Sequence, residues 1–490
     1  MEHDDLRAAG TTSRIARGYS GIVWSVAFAA FMSKLDTYIV NISLPTISRY
    51  FNVGIAEASH TVIGYLVVGT STLLFFGRLG DRIGLRKVFV WGYALFTIGS
   101  LCCAASWTIE VLIYARLVQG LGGAMLISAG YAIIPTFLPS NMTGKAFGVL
   151  TTAAMSGIIV GAPLGGFIND YLSWHWVFII NIPVGIVAAV VALRSLPTGI
   201  HGSVVSPAGR SGSDIPGILL SFIGFSAVLY GLTTGGDWGW TSRATLGLLA
   251  VGLLSIAAFV IRERRCEEPL LDFELFRNRR FAFPTLAAFF GYMLMGGNAF
   301  LMPFYLEGVK GLDTTSVGLL LLINSATALV VGLMAGRLSD RVPPSYPATA
   351  AMASAALSSF YFAWFLDRPS LVPSVLFLIW FGFSYGMFVS PNNNQAMKAV
   401  PDDRHGMGSG IFNTVNTLGL AFGVAFLELI LSRSVPGGVC SPEHLSGEGG
   451  AVLDSVIAGF ENAFIFGGLM CIVALALSAI VLISDARGKP

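Results

Sequence analysis

The stretch Gly77–Lys87 reads G-R-L-G-D-R-I-G-L-R-K, and it sets how the rest of the chain is understood. It places glycines, one acid and the basic residues Arg78, Arg82, Arg86 and Lys87 between two long apolar runs. Glycine permits tight turns and close backbone approach. Asp81 can sit at a helix N-terminus or pair with an arginine of a neighbouring helix. The basic groups hold the segment in water at one face of a membrane. An echo, G-R-L-S-D-R, recurs at Gly336–Arg341, again between apolar runs. A motif repeated in corresponding loops is what two structurally related halves leave behind.

Working outward, the composition is that of a membrane protein. Of 490 residues, 54% are hydrophobic and 11% charged, against about 25% charged in a soluble domain. The 58 glycines lie largely inside apolar runs, where small residues let helices approach closely in a bilayer. The net charge of +2 implies no strongly basic or acidic partner. Basic residues sit in short interhelical segments rather than on one stripe, which excludes a nucleic-acid footprint. The cysteines Cys102, Cys103, Cys266, Cys440 and Cys471 show neither a disulfide framework nor metal-ligand spacing. No cofactor is implied, no phosphate-cradling loop of the Walker type is present, and no clustered nucleophile, metal or base set suggests an enzyme.

Crossing a bilayer takes about 20 mostly apolar residues, and the runs that qualify number about fourteen. They lie near 20–45, 59–76, 88–106, 111–136, 145–168, 176–194, 215–234, 245–261, 283–304, 315–334, 347–366, 371–390, 405–431 and 460–483. Arg7, Arg14 and Arg17 before the apolar run from Gly21 look like a signal peptide. Lys34, Asp36 and the lack of a small-x-small site make that run an uncleaved first span instead. With the termini in the cytoplasm, only Arg49, Arg243, Lys310, Arg368 and Arg433 fall outside, and Lys34 and Arg116 fall within spans. This asymmetry places both termini in the cytoplasm. The two copies of the loop occupy equivalent positions if the seventh and eighth spans are an insertion. The expected plan is a tail (1–19), a six-helix bundle (20–196), a linker (197–214) and two inserted helices (215–261). A cytoplasmic amphipathic segment (262–282), a second six-helix bundle (283–484) and a tail (485–490) follow, with 433–459 as the longest outer loop.

The Gly77–Lys87 loop resembles the signature loop of the major facilitator superfamily. Four further pieces resemble its fourteen-span drug:proton antiporter family. They are L-D-T-Y-I-V-N-I-S-L-P (Leu35–Pro45), R-L-V-Q-G-L-G-G (Arg116–Gly123), G-I-I-V-G-A-P-L-G-G (Gly157–Gly166) and W-H-W-V-F-I-I-N-I-P-V-G (Trp174–Gly185). The third departs from the family in having Ala162 between Gly161 and Pro163. The fourth has His175 where the family has arginine; it is either a titratable group at the outer mouth or an interfacial aromatic-belt residue. The resemblance implies an all-α polytopic membrane protein of the major facilitator fold, two six-helix bundles about a central cavity plus two inserted transmembrane helices. It also implies that Gly77, Asp81, Arg82, Gly84, Arg86 and Lys87, with Asp340 and Arg341 in the second copy, form a latch that breaks during transport. Gly157, Gly161, Pro163, Gly165 and Gly166 would form a smooth, bendable helix face.

Ionisable groups within a bilayer are costly and mark function by default. Asp36 lies deep in the first span and could bind and release a proton, bind a cationic substrate, or serve as a structural carboxylate. Lys34, two residues away, belongs to another helix face. Ser33, Asp36, Val40 and Ser43 form one stripe; Lys34, Tyr38, Asn41 and Pro45 form a second. Lys34 is a counter-ion to another helix's acid, a ligand for an anionic substrate, or a snorkelling residue. Arg116 and Gln119 share a face, and the family reading is that the arginine tunes the proton site. Glu428 is a second proton or cation site or an interfacial, water-exposed carboxylate, whereas Glu307 and Asp237 are expected at solvated helix ends. Tyr38, Asn41, Tyr292, Met293, Asn298, Phe300, Trp380, Phe383, Tyr385 and Met387 are candidate cavity residues, since soft, repackable surfaces suit promiscuous binding.

The expected function is proton-coupled export of small lipophilic compounds or drugs by alternating access, with Asp36 exchanging substrate for a proton. The protein would be a monomer in the plasma (inner) membrane, whose partners are the bilayer, protons and a small-molecule substrate. The alternatives are a dedicated exporter of one metabolite, lipid or siderophore, or a non-transporting sensor with the same fold.

Overall fold

The computed structural model describes residues 2–197, 215–266, 274–339, 341–401, 405–434 and 450–486, and these form helices joined by short turns. The first part comprises α1 (Glu2–Phe51), α2 (Ile55–Ile83), α3 (Leu85–Ala104), α4 (Ile109–Phe137), α5 (Ser140–Tyr171), α6 (His175–Ile179) and α7 (Asn181–Ser195). Then come α8 (Ile215–Trp238), α9 (Arg243–Glu263) and α10 (Arg279–Phe304), the last extended by a π-helical turn, Tyr305–Val309. The chain ends with α11 (Thr314–Leu338), α12 (Ser345–Phe365), α13 (Val372–Lys398), α14 (His405–Ser434) and α15 (Gly450–Ala486).

Among the described residues, 12 helical spans are long and apolar enough to cross a membrane, with α6 and α7 together making one of them, His175–Ser195. Two other long helices, α2 and α12, are not among them. α12 is built largely of alanine and serine and is buried along much of its length. Such small residues favour close helix contact over contact with lipid.

The packing falls into two sets with matching partners. α1 packs on α5, α2 on α4 and α3 on α4; correspondingly α10 packs on α14, α11 on α13 and α12 on α13. The contacts between the sets match too: α5 lies against α11, and α14 against α2. The two copies of the G-R-L motif close α2 and α11, which are equivalent helices in this scheme. α8 and α9 pair with each other, and α8 touches both α2 and α14.

Connections are tight. Asn52 has φ 53° in the turn after α1, a conformation that asparagine tolerates better than most residues. Gly84 separates α2 from α3 at φ 100°, a value that disfavours any side chain. At several boundaries the structure corrects the expectation. α1 begins at Glu2, so the expected 1–19 tail is helical from its second residue. α15 begins at Gly450, inside the expected outer loop, because mostly apolar residues (A-V-L-D-S-V-I-A-G-F, 451–460) carry the last span backwards. In the expected amphipathic segment, Leu275–Arg277 is a 3-10 turn and Asn278 caps α10 by accepting from the Arg280 amide at 3.0 Å. Most of the linker (198–214), the remainder of the amphipathic segment (267–273), most of the outer loop with Cys440 (435–449) and the last residues (487–490) lie outside the described residues.

Candidate functional site

Asp36 and Arg116 meet in the interior of the first set of helices. Arg116 Nη1 donates to Asp36 Oδ2 at 2.6 Å, and their side chains are 1% and 0% exposed. Gln119 Nε2 and Asn181 Nδ2 each donate to Asp36 Oδ1 at 2.8 Å. The carboxylate therefore accepts from three donors on α4 and α7. Arg116 also donates to Gln119 Oε1 at 2.6 Å and to the Thr61 carbonyl at 3.2 Å. Its guanidinium lies over the Tyr65 ring, 4.2 Å from the centroid. Gln119 reaches Ser100 Oγ on α3 at 2.8 Å. Removing charges from water is expensive, and such a pair persists only when its remaining donors and acceptors are met. Here α1, α2, α3, α4 and α7 supply them.

This arrangement blocks one expectation. A substrate cannot touch Asp36 in this conformation, because the carboxylate is sealed behind its donors. The sequence singled out Asp36, Arg116 and Gln119 but assigned no role to Asn181, Ser100 or Tyr65. An asparagine within the apolar run F-I-I-N-I-P-V was the available signal for Asn181.

The glycine stripe of α5 explains itself by distance. A Cβ on Gly157 would lie 2.5 Å from the Phe31 carbonyl oxygen; on Gly161, 2.9 Å from Tyr38 Cβ; on Gly165, 2.4 Å from Ile42 Cγ2. These residues bring α5 against α1. Gly166 faces away from that contact and toward the other half, where a Cβ would lie 2.4 Å from the Thr314 carbonyl oxygen. Gly318 of α11 returns the contact, with Ala162 O at 2.6 Å and Pro163 Cα at 3.0 Å from its hypothetical Cβ.

Two polar links clamp the halves at this same end, where α1 stops at Phe51. Asp170 Oδ2 accepts from the Thr315 amide at 2.7 Å, so a residue of α5 satisfies an open donor in the first turn of α11. Asp313 caps the same helix through the Ser316 amide at 2.9 Å. Hydrogen bonds from Ser316 hold the Asp313 carboxyl below the usual range. Arg49 meets Glu307 at 2.7 Å, with side chains 50% and 3% exposed. Glu307 was expected to be solvated, but the π-helical turn tucks it under α1. At the opposite end of α5, a Cβ on Gly144 or Gly148 would meet nothing within 4 Å. The halves are thus closed at the Phe51 end, and that part of α5 borders open space.

Lys34 and Tyr38 lie on the face of α1 next to α5, beside Gly157 and Gly161. Lys34 is exposed although it lies deep among the helices. Tyr38 sits within electrostatic range of Tyr292 on α10 and Tyr385 on α13. Tyr292 and Tyr385 contact edge to face, their ring centroids 5.8 Å apart. Tyr131 of α4, which the sequence reading passed over, comes within range of Tyr292. Asn41 and Asn298 are buried, each with a side-chain oxygen lacking a protein partner.

Other candidates fall elsewhere. Met293 and Phe300 are 3% and 0% exposed and pack as core, Phe300 against Phe304. Trp380 Nε1 donates to Ser354 Oγ of α12 at 2.8 Å, tying two helices of one half. Phe383 is exposed and Met387 partly buried. Glu428 is 0% exposed and accepts from Ser432 one turn on, which overturns its reading as a water-exposed carboxylate. His175 stacks on Trp174 at 3.8 Å and bonds to Ser173. Among the loop residues, Arg86 Nη2 donates to the Leu193 carbonyl of α7 at 2.7 Å, while Arg82, Lys87 and Arg341 are exposed. Gly77 packs beside Ser128 of α4. The side chains of Asp81 and Asp237 and the whole of Asp340 lie outside the described residues. Beside the second copy, Gly336, Ser339, Ser390, Asn393, Asn394 and Met397 line an open cleft of about 410 Å³.

Two matched helical sets, a seal at one end, and an exposed lysine with tyrosines of both sets near it define a multi-pass membrane transporter. The sequence of residues 26–424 matches the family model of the Major Facilitator Superfamily, and the chain belongs to that family. It is similar to the riboflavin transporter RibZ of Clostridioides difficile (strain 630), 32% identical over 410 residues, covering 84% of this chain and 88% of that protein. It is also similar to MdtD of Klebsiella pneumoniae (strain 342), named for multidrug resistance: 30% identical over 465 residues, 94% and 93% of the two chains. Among solved structures, a bacterial homologue of the human lysosomal transporter Spinster, inward-facing and unoccupied, has the same fold. Its TM-score is 0.70 at 14% identity, over 96% of this chain and 98% of that one. Members of this family are transporters, not enzymes.

Proposed function

We propose that the chain is a proton-coupled exporter of small organic compounds, working as a monomer by alternating access. The observation that carries this is the sealed Asp36–Arg116 pair on a helix that also borders the passage between the halves. One face of α1 holds Asp36 against α4 and α7. Another meets the α5 glycines and carries Lys34 and Tyr38 beside Gly157 and Gly161. Protonating Asp36 removes the charge that balances Arg116. The guanidinium then keeps Gln119, the Thr61 carbonyl and the Tyr65 face, and α4 is released from α1. Because α1 is packed on α5, that release reaches the α5–α11 seal.

Helices α2 and α12 cross the membrane as well, which gives fourteen spans: α2 is 29 residues long, and α12 at 21 residues is packed against spanning neighbours. An even number puts both termini on one side, and the basic bias makes that side the cytoplasm of the plasma (inner) membrane. The sealed Phe51 end then faces outward, so this conformation loads substrate from the cytoplasm. The Gly77–Lys87 loop, with Asp81 and its counterpart Asp340, acts as a latch in the opposite conformation. Glu428, buried in α14, is a second candidate for proton binding.

The test uses purified protein in proteoliposomes with fluorescein, riboflavin and a cationic rhodamine ester as probes. An imposed pH gradient is expected to drive uptake of at least one probe, and a protonophore is expected to abolish it. Uptake that ignores both the gradient and the protonophore would sink the coupling. A dedicated exporter of one metabolite is a second reading, favoured by the similarity to a riboflavin transporter; movement of riboflavin alone in this panel would select it.

A further inference from the structure

The unusual charge in the passage is Lys34. An ammonium within a spanning helix ordinarily lies opposite a carboxylate or snorkels to an interface. Lys34 does neither. It sits mid-helix, between Ile22 and Leu44 of the buried core. No carboxylate pairs with it among the described residues, and the nearest acid in sequence, Asp36, is turned to another face and saturated by Arg116, Gln119 and Asn181. Yet Lys34 is exposed, so its side chain borders open space rather than packed neighbours. One turn further along the same face is Tyr38, with Tyr292 and Tyr385 contributed by the opposite half and Tyr131 close by. Phenol hydroxyls donate to anions, and their rings stack on planar aromatic groups.

We propose that the passage between the halves binds planar aromatic compounds bearing an acidic group. The Lys34 ammonium meets the anion, and Tyr38, Tyr131, Tyr292 and Tyr385 hold the ring system from both halves. Binding supplies the counter-charge that the described residues do not place at Lys34, so an anionic ligand is favoured where a lipophilic cation is repelled. The inference rests on the reading of this passage as the transport path, and it narrows that path's cargo.

The experiment is equilibrium binding, measured by fluorescence anisotropy with the full chain in lipid nanodiscs. The probes are fluorescein, an aromatic acid, and a cationic rhodamine ester built on the same xanthene ring. Wild type is expected to bind fluorescein more tightly than the rhodamine. Lys34→Met is expected to weaken fluorescein about tenfold or more, the usual weight of a hydrogen bond to a charged group, and to leave the rhodamine unchanged or tighter. Lys34→Arg keeps the charge and is expected to stay within about threefold of wild type, which separates loss of charge from loss of fold. Equal fluorescein binding by wild type and Lys34→Met, or preference of wild type for the rhodamine, overturns the proposal. Because binding needs no gradient, Lys34-dependent binding without proton-driven movement would count against the export reading alone.

Discussion

Replacing Gly166 by alanine would set a methyl group 2.4 Å from the Thr314 carbonyl oxygen and 2.9 Å from Thr315 Cα. Both neighbours are backbone, so no side chain can swing aside; α11 itself must withdraw. Such overpacking typically costs about 1–3 kcal/mol. The cost falls on the sealed conformation, where α5 and α11 touch, and not on one in which they part. The balance between the two should therefore shift by roughly 5- to 150-fold, since 1.4 kcal/mol is about tenfold. Withdrawal of α11 would also lengthen the bond from the Thr315 amide to Asp170, now 2.7 Å. Hydrogen exchange followed by mass spectrometry reads this directly, because amides released from such contacts exchange faster. Peptides covering the first turn of α11 and the end of α5 are expected to lose protection in Gly166→Ala. Gly148→Ala is the control on the same helix: a Cβ there meets nothing within 4 Å, and protection should stay as in wild type. Unchanged exchange at α11 in Gly166→Ala, or an equal change in Gly148→Ala, would refute the seal.

Asp170→Ala removes the cap supplied to α11 from the other half. It should cost about 1 kcal/mol of the sealed state, as loss of a helix cap does, and expose the same α11 peptides more mildly than Gly166→Ala. Asp36→Ala leaves Arg116 buried beside an empty position; a loss of about 3–5 kcal/mol follows from breaking a buried pair, read as a large fall in the melting temperature of purified protein. Arg116→Lys should not restore stability, because an ammonium cannot reproduce the bonds to Asp36, Gln119 and Thr61 or the contact with Tyr65. A melting temperature equal to wild type in either variant would show that the network carries little. Gly84→Ala, at φ 100°, should cost about 1–2 kcal/mol through left-handed strain alone, again visible in the melting temperature; no change would mean that the turn relaxes.

Periodicity and composition made much of the fold legible. Each apolar run read from the sequence falls on a helix, because a bilayer leaves the backbone little else to do. The echo of Gly77–Arg82 at Gly336–Arg341 pointed to α2 and α11, which do pack as equivalents. The Asp36 site was legible in part. Arg116 and Gln119 share a face by spacing, but which helix face each meets depends on packing between distant segments. Asn181 lies 145 residues from Asp36, and Arg49 lies 258 from Glu307, and no local pattern records such pairs. Lys34 and Asp36 belong to different helix faces, yet only packing could show that Asp36 is sealed and Lys34 exposed. Met293 and Phe300 misled for the converse reason: soft apolar residues look alike whether they line a cavity or fill a core.

The most direct test of proton coupling through Asp36 compares two assays on Asp36→Asn in proteoliposomes, with fluorescein, riboflavin and the cationic rhodamine ester each offered to both. One is accumulation driven by an imposed pH gradient; the other is exchange of labelled for unlabelled probe with no gradient. Asparagine keeps the size and much of the hydrogen bonding but cannot cycle a proton. The expected result, for any probe that wild type carries, is exchange near the wild-type rate with driven accumulation lost. Driven accumulation retained in Asp36→Asn would contradict the assignment and place the coupling proton elsewhere.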